Sequence, residues 1–175
     1  MSEYDKCFDR LHLSEGGYQN DYDDRGNWTT GVIGSGERKG TKFGISAMTY
    51  PDLDIKRLTI DQAKEIYYEH FWKHYNIEQY PKVLRFQIFD AYVQHRPRAV
   101  VKMIQAAVFE KQDGVIGPKT RMAIKNANED AFLNLFNAAR MKYYVNLANF
   151  PRYGGGWMRR MADNLKYAAE DYVEG

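Results

Sequence analysis

Residues 18–46 constrain this chain more than any other feature, because they interrupt an otherwise helical pattern. The segment is rich in Gly, Asp, Asn and Thr, with short β-prone pieces at Trp28-Thr29-Thr30 and Gly31-Val32-Ile33. Turns are predicted near Gly34-Ser35-Gly36 and Lys39-Gly40, so the pattern predicts a small hairpin region. It is too long for a plain connection, and long excursions in compact domains usually carry function. Before it, residues 3–14 read as a helix with Phe8 and Leu11 on one side, stopped by Gly16-Gly17. After it, Thr59-Ile60-Asp61-Gln62 is a capping box that opens a helix with the stripe Ala63, Ile66, Tyr67, His70, Phe71 and Tyr75. Further helices are predicted over 83–94, from Pro97, from Pro118 through Ile124, and over 132–147. Gly154-Gly155-Gly156 is read as a break before a last helix carrying Trp157, Met161, Leu165 and Ala168. The fold class is therefore mainly α (α+β), helical with a small N-terminal β-hairpin region.

The chain has 175 residues, 44% of them hydrophobic, which suits one domain or one domain with two lobes. Aromatics reach 15%; flat rings with a polar edge serve a sugar cleft as well as a core. Net charge is +2. The densest basic clusters, Arg159-Arg160 and Arg38-Lys39 beside Glu37, are too short for a nucleic-acid binder. A mild positive balance suits an anionic polymer. Cys7 stands alone, which excludes an internal disulfide and a Cys-rich metal site and is compatible with a reducing cytoplasm. Residues 1–6 contain no apolar signal stretch, and no run is long enough for a membrane span.

Glu15 is the candidate for acid chemistry, at a helix end beside Gly16-Gly17 and Tyr18. Cleaving a glycosidic bond needs a carboxylic acid to protonate the leaving oxygen, and a second carboxylate to activate water or steady the oxocarbenium ion. Apolar walls around the first keep it protonated near neutral pH. Asp21, Asp23 and Asp24 are all candidates for the second, and each is also a ready turn former. A calcium loop starting at Asp21 is rejected: Arg25 takes a ligand position and Val32 stands where the closing Glu belongs. His70 and His74 have helical spacing, but Phe71 replaces the Glu a zinc protease needs. No motif supplies Cys7 with an oriented His. No metal and no cofactor are predicted.

Several blocks in order carry a resemblance. Glu15-Gly16-Gly17-Tyr18, Asp23-Asp24-Arg25-Gly26-Asn27-Trp28, Gly40-Thr41-Lys42-Phe43-Gly44-Ile45-Ser46 and Tyr50-Pro51-Asp52-Leu53-Asp54-Ile55 resemble glycoside hydrolase family 108. That family contains phage endolysins and bacterial N-acetylmuramidases, and the resemblance implies that Glu15 is the catalytic acid. Gln105 with Asp113-Gly114-Val115-Ile116-Gly117-Pro118-Lys119-Thr120 is similar to the loop of predicted peptidoglycan-binding domains. Arg140, Tyr143-Tyr144, Gly156-Trp157 and Arg160 fit the same domain, so the resemblance covers residues 8–165. The spacing of Glu15, Asp24 and Thr30 is also similar to phage-type lysozymes of a different family, which implies that Asp24 and Thr30 position water beneath the sugar. Here the chain departs from many relatives, carrying both Thr29-Thr30 and Thr41, so which threonine faces substrate stays open. Tyr18, Trp28, Thr41 and Tyr50 are the candidate substrate-binding residues.

The resemblance implies a lysozyme-like fold, with residues 1–82 as a catalytic muramidase lobe and 83–175 as a helical peptidoglycan-binding-like lobe, packed as one compact unit. It implies an endolysin that hydrolyses the β-1,4 bond between N-acetylmuramic acid and N-acetylglucosamine and lyses bacteria. Peptidoglycan would be the partner of a monomer without nucleic acid or stable membrane insertion. Such a protein accumulates in the host cytoplasm and depends on a holin to reach the periplasm and wall. Two other readings remain: a lytic transglycosylase, and a non-catalytic wall-binding or secretion accessory protein.

Overall fold

Helix α1 (Glu3–His12) buries Tyr4, Cys7, Phe8 and Leu11, which recur at helical spacing on one face, while Glu3 and Asp5 sit in its first turn where the helix dipole favours acids. The computed structural model describes residues 2–12 and 17–174. The apolar face of α1 meets α2 (Ile60–Tyr67): Phe8 lies edge-on to Tyr67 at 5.7 Å, and Tyr4 lies edge-on to Trp72 at 5.4 Å. The capping box that opens α2 is present in full, with Gln62 N donating to Thr59 Oγ1 and Thr59 N donating to Gln62 Oε1. Beyond Tyr67 the helix widens into π geometry over Tyr68–Lys73.

The two strands of the chain's small sheet are β1 (Thr41–Lys42) and β2 (Ile45–Ser46), antiparallel with Thr41 opposite Ser46. The turn between them places Phe43 at φ 52° and Gly44 at φ 74°, the double left-handed conformation that matches strand twist. Phe43 accepts that strain because its carbonyl receives the Tyr67 hydroxyl at 2.9 Å. The strands therefore lie later than 28–33, where they are predicted from β-propensity. Val32 and Ile33 are 59% and 46% exposed and lie in a turn-rich loop, with Gly31, Gly34 and Gly36 all at positive φ. Pairing there is limited to an isolated bridge between Trp28 and Arg38 and to Thr29 N donating to Glu37 O at 2.9 Å. Propensity for strands is overruled because Val32 and Ile33 stay largely in solvent and gain little from burial.

Contacts divide the chain into two compact units, Met1–Trp72 and Lys73–Gly175. In the second unit α3 (Lys82–Gln94) is the central helix, with buried residues all round it from Val83 to Tyr92. Helices α4 (Pro97–Ala107), α5 (Pro118–Asn126), α6 (Glu129–Val145) and α7 (Phe150–Glu174) complete the unit, with α4 and α7 each packed on α6. Truncating an interior α3 residue such as Leu84 or Ile88 to Ala should cost about 2–5 kcal/mol.

The predicted break at Gly154-Gly155-Gly156 does not occur, and α7 runs straight through it. Gly154 is buried against Phe150, whose ring would stand 2.7 Å from an added Cβ. The glycine is there for close approach of that ring, and packing outweighs a helix-propensity cost of about 1 kcal/mol.

At the heart of the second unit lies a buried polar cluster. Asp90 on α3 meets Arg140 at 2.6 Å, Asn164 at 2.8 Å, and Arg160 through both Nε and a terminal nitrogen. Burial alone would raise the Asp90 carboxyl, but Arg140 and then Arg160 outweigh it and hold the group well below the usual carboxylate range. Arg140 also donates to His95 Nε2 at 3.1 Å. Burial first, and the Arg140 charge second, push the His95 imidazole down to about 3, so it accepts that bond as a neutral ring.

Candidate active site

Asp24 caps the short 3-10 turn Arg25–Asn27, its Oδ1 accepting from Gly26 N at 2.8 Å. Its other oxygen accepts from Gln19 Nε2 at 2.9 Å. Gln19 turns its carbonyl oxygen to Asn27 Nδ2 at 2.8 Å and to Asp21 N at 3.1 Å. Asn27, fully buried, donates also to Asp21 O at 2.9 Å and accepts from the Thr41 hydroxyl at 2.8 Å. Its backbone carbonyl receives Lys39 N and Gly40 N. Gln19 and Thr41 exchange both backbone hydrogen bonds, at 2.8 and 2.9 Å. Asp24, Gln19, Asn27 and Thr41 thus form one continuous network.

Two consequences follow for Asp24. Both its oxygens are oriented by donors, yet the residue is only half-buried, and each carboxylate oxygen keeps a lone pair to offer water or a cationic centre. A carboxylate held in this way can align a nucleophilic water without reorganising. Asp21, by contrast, closes a turn by accepting from Asp23 N at 3.0 Å.

The family model for glycosyl hydrolase 108 matches residues 8–95, which contain all of these groups. The chain belongs to the glycosyl hydrolase 108 family. A second model, a predicted peptidoglycan domain, matches residues 99–162. The chain is also similar to the structure of Brucella abortus SagA, with a TM-score of 0.76 at 26% identity over 97% of this chain and 94% of SagA. No curated protein matches it significantly. The fold is mainly helical and lysozyme-like, as expected. A family-108 catalytic half beside a peptidoglycan domain makes this chain a glycoside hydrolase that acts on peptidoglycan.

Within this family-108 chain the remaining candidate residues occupy different settings. Glu15 lies outside the described residues. Tyr18, close to it in sequence, is 38% exposed and lies over Gly40, where an added Cβ would stand 2.7 Å from the ring and 2.6 Å from Gln19 O. Trp28 is only 8% exposed. Its indole N–H donates to Tyr22 O at 3.0 Å, and the Arg38 guanidinium caps it and Tyr22. Thr30 is exposed and donates to Ser35 O at 2.8 Å, which ties its hydroxyl to its own loop. Thr41 belongs to the Asp24 network. Tyr50 is half-buried, edge-on to His70 at 5.4 Å, and burial pushes its phenol up.

Sequence reading missed Gln19 and Asn27. Both look like ordinary loop amides, and only the fourteen-residue separation between Asn27 and Thr41, closed in space, reveals a hub. The second unit has its own counterpart in Gln105. Its amide donates to Asp113 Oδ1 at 2.8 Å and Val115 O at 3.0 Å and accepts from Gly114 N at 2.9 Å, so Asp113 shapes the loop.

Proposed function

We propose that this chain is an endolysin-type muramidase that hydrolyses the β-1,4 bond between N-acetylmuramic acid and N-acetylglucosamine. The observation that carries the reading is the family match over residues 8–95, which includes Glu15 in its Glu-Gly-Gly-Tyr block. Glu15 protonates the leaving glycosidic oxygen. Asp24 then orients the attacking water or steadies the oxocarbenium ion; the water gives one proton to the Asp24 carboxylate or to the deprotonated Glu15 and keeps the other in the new hydroxyl. Its oriented, half-exposed oxygens support that role. Of the two threonines, Thr41 has the stronger support as the helper, because its hydroxyl joins the Asp24 network while that of Thr30 is committed to Ser35. Tyr18 and Tyr50 offer ring surface to the sugars, and Trp28, held by Tyr22 and Arg38, stiffens its own loop. No cofactor enters this scheme.

Purified peptidoglycan treated with wild type and with Glu15→Gln, with products read by mass spectrometry, tests the reading. Reducing muropeptides from wild type, reduced about a thousandfold in the variant, are expected. Anhydro products would mean a lytic transglycosylase, and binding without release an accessory protein. The endolysin setting, with accumulation in the host cytoplasm and release to the wall through a holin, rests on the family resemblance. Co-expression with a holin should lyse cells that tolerate either gene alone.

A further inference from the structure

We infer that a basic groove between α4 and α6 binds the carboxylate-bearing peptide stems of peptidoglycan. The groove encloses roughly 460 Å³ and is lined by four cations, Arg96, Arg98, Lys102 and Lys142, and by no carboxylate. Short apolar residues, Ala99, Ala106 and Ala139, form its walls with Met103. Tyr143 also lines it, with its ring held edge-on against His95 at 5.1 Å.

Four like charges around one concavity repel each other unless an anion enters. Arg98 is partly engaged: it donates to Asp113 O at 3.4 Å and lies over Gly114. Arg96, Lys102 and Lys142 are exposed and make no ion pair among the described residues. The first turn of α4 lines the same groove, with Pro97 at its start and no side chain capping its N-terminus. The partial positive charge of the helix end therefore adds to the field.

Peptidoglycan offers a ligand with this chemistry in its stems rather than its sugars. The glycan is uncharged once the lactyl carboxyl is amidated by the peptide. The stems carry free carboxylates beside alanine methyls, which match cations set around alanine-lined walls. Groove and motif loop share neighbouring residues, since Gln112 lines the groove and Asp113 opens the loop held by Gln105. This assignment holds whichever glycosidic bond the first unit cuts.

Sedimentation of the full-length protein with intact sacculi in the cold, against the same sacculi after their stem carboxylates have been amidated with ammonia and a carbodiimide, tests the proposal without turnover. Wild type should bind intact sacculi about tenfold more tightly than amidated sacculi, and Lys102→Glu/Lys142→Glu should lose that preference. Both lysines are exposed, and matching thermal unfolding will show that the variant is folded; if it is not, Lys102→Gln/Lys142→Gln replaces it. Equal binding of wild type to intact and amidated sacculi, or unchanged binding by the double variant, overturns the proposal. So does equally tight binding to poly-glutamate or phosphatidylglycerol vesicles, which would make the groove a general polyanion site. Muropeptide release, measured separately, reports on the hydrolase reading and not on this one.

Discussion

Asp24 and Asp90 are both held by several donors, but the two units use them in opposite ways. Asp24 is oriented by neutral donors, Gly26 N and Gln19 Nε2, and remains half-exposed. Asp90 is enclosed by Arg140, Arg160 and Asn164 and is 1% exposed. A carboxylate fixed by amides keeps lone pairs for a substrate, whereas one neutralised by two guanidiniums has no reach and no free proton chemistry. Position in a network thus separates an accessible carboxylate from a sealed one, even where the residue type is the same.

Replacing Asp90 should give the largest effect on stability. Asp90→Ala leaves Arg140 buried without its counter-charge and is expected to cost about 3–5 kcal/mol, read from urea unfolding. A loss below about 1 kcal/mol would show that the cluster is relaxed by water, and the contrast with Asp24 would collapse. Asp24→Asn is the reverse case. An Asn still accepts from Gly26 N, so stability should stay within about 1 kcal/mol while muropeptide release falls about a hundredfold. Full activity in that variant would remove Asp24 from the chemistry.

The pH dependence of stability sharpens the comparison further. The folded state holds the His95 imidazole down to about 3, so the unfolded chain binds the proton first as pH falls through about 6.5. Stability from this group is complete above that value and declines below it, down to about 3. The unfolding free energy read from urea titrations should therefore drop between pH 7 and pH 5, by about 2 kcal/mol at most. Asp90 adds its own loss at lower pH, because its carboxyl is held below the unfolded value: that contribution is present above about 4 and fades as pH falls further. A flat profile from pH 7 to 5 would mean that His95 is protonated in the fold.

Smallest are the two threonine changes. Thr41→Val strips the donor from the buried Asn27 Oδ1 and should cost about 1–3 kcal/mol. Thr30→Val loses an exposed loop bond and should cost about 0.5–1 kcal/mol. Activity decides between them as partners of Asp24: the assignment to Thr41 fails if Thr30→Val alone impairs muropeptide release.

Much of the architecture was legible because it is local. A 3.6-residue stripe and the Thr59/Gln62 box mark α2 without reference to the rest of the chain; the box is present, and the stripe holds to Tyr67, beyond which π geometry buries Trp72 and leaves His70 exposed. Pro97 and Pro118 each mark a helix start for the same reason. The blocks around Glu15 and around Asp113 placed the family and its two halves. What local signals could not supply were decisions made by distant neighbours. β-propensity pointed to 28–33, but the strands form at 41–46, where Phe43 meets Tyr67. Three glycines read as a break, but Phe150 packing on Gly154 keeps α7 continuous.

The sequence by itself determined the helical class, the family and the type of chemistry, since these reside in periodicity and in short ordered motifs. Only the tertiary structure decided that Asn27 is a hub, that Thr41 rather than Thr30 joins the network running through Asn27 and Gln19 to Asp24, and that Asp90 is sealed among arginines. The reason is physical: a buried polar group must find its partner wherever the fold brings one, and sequence distance places no limit on that search.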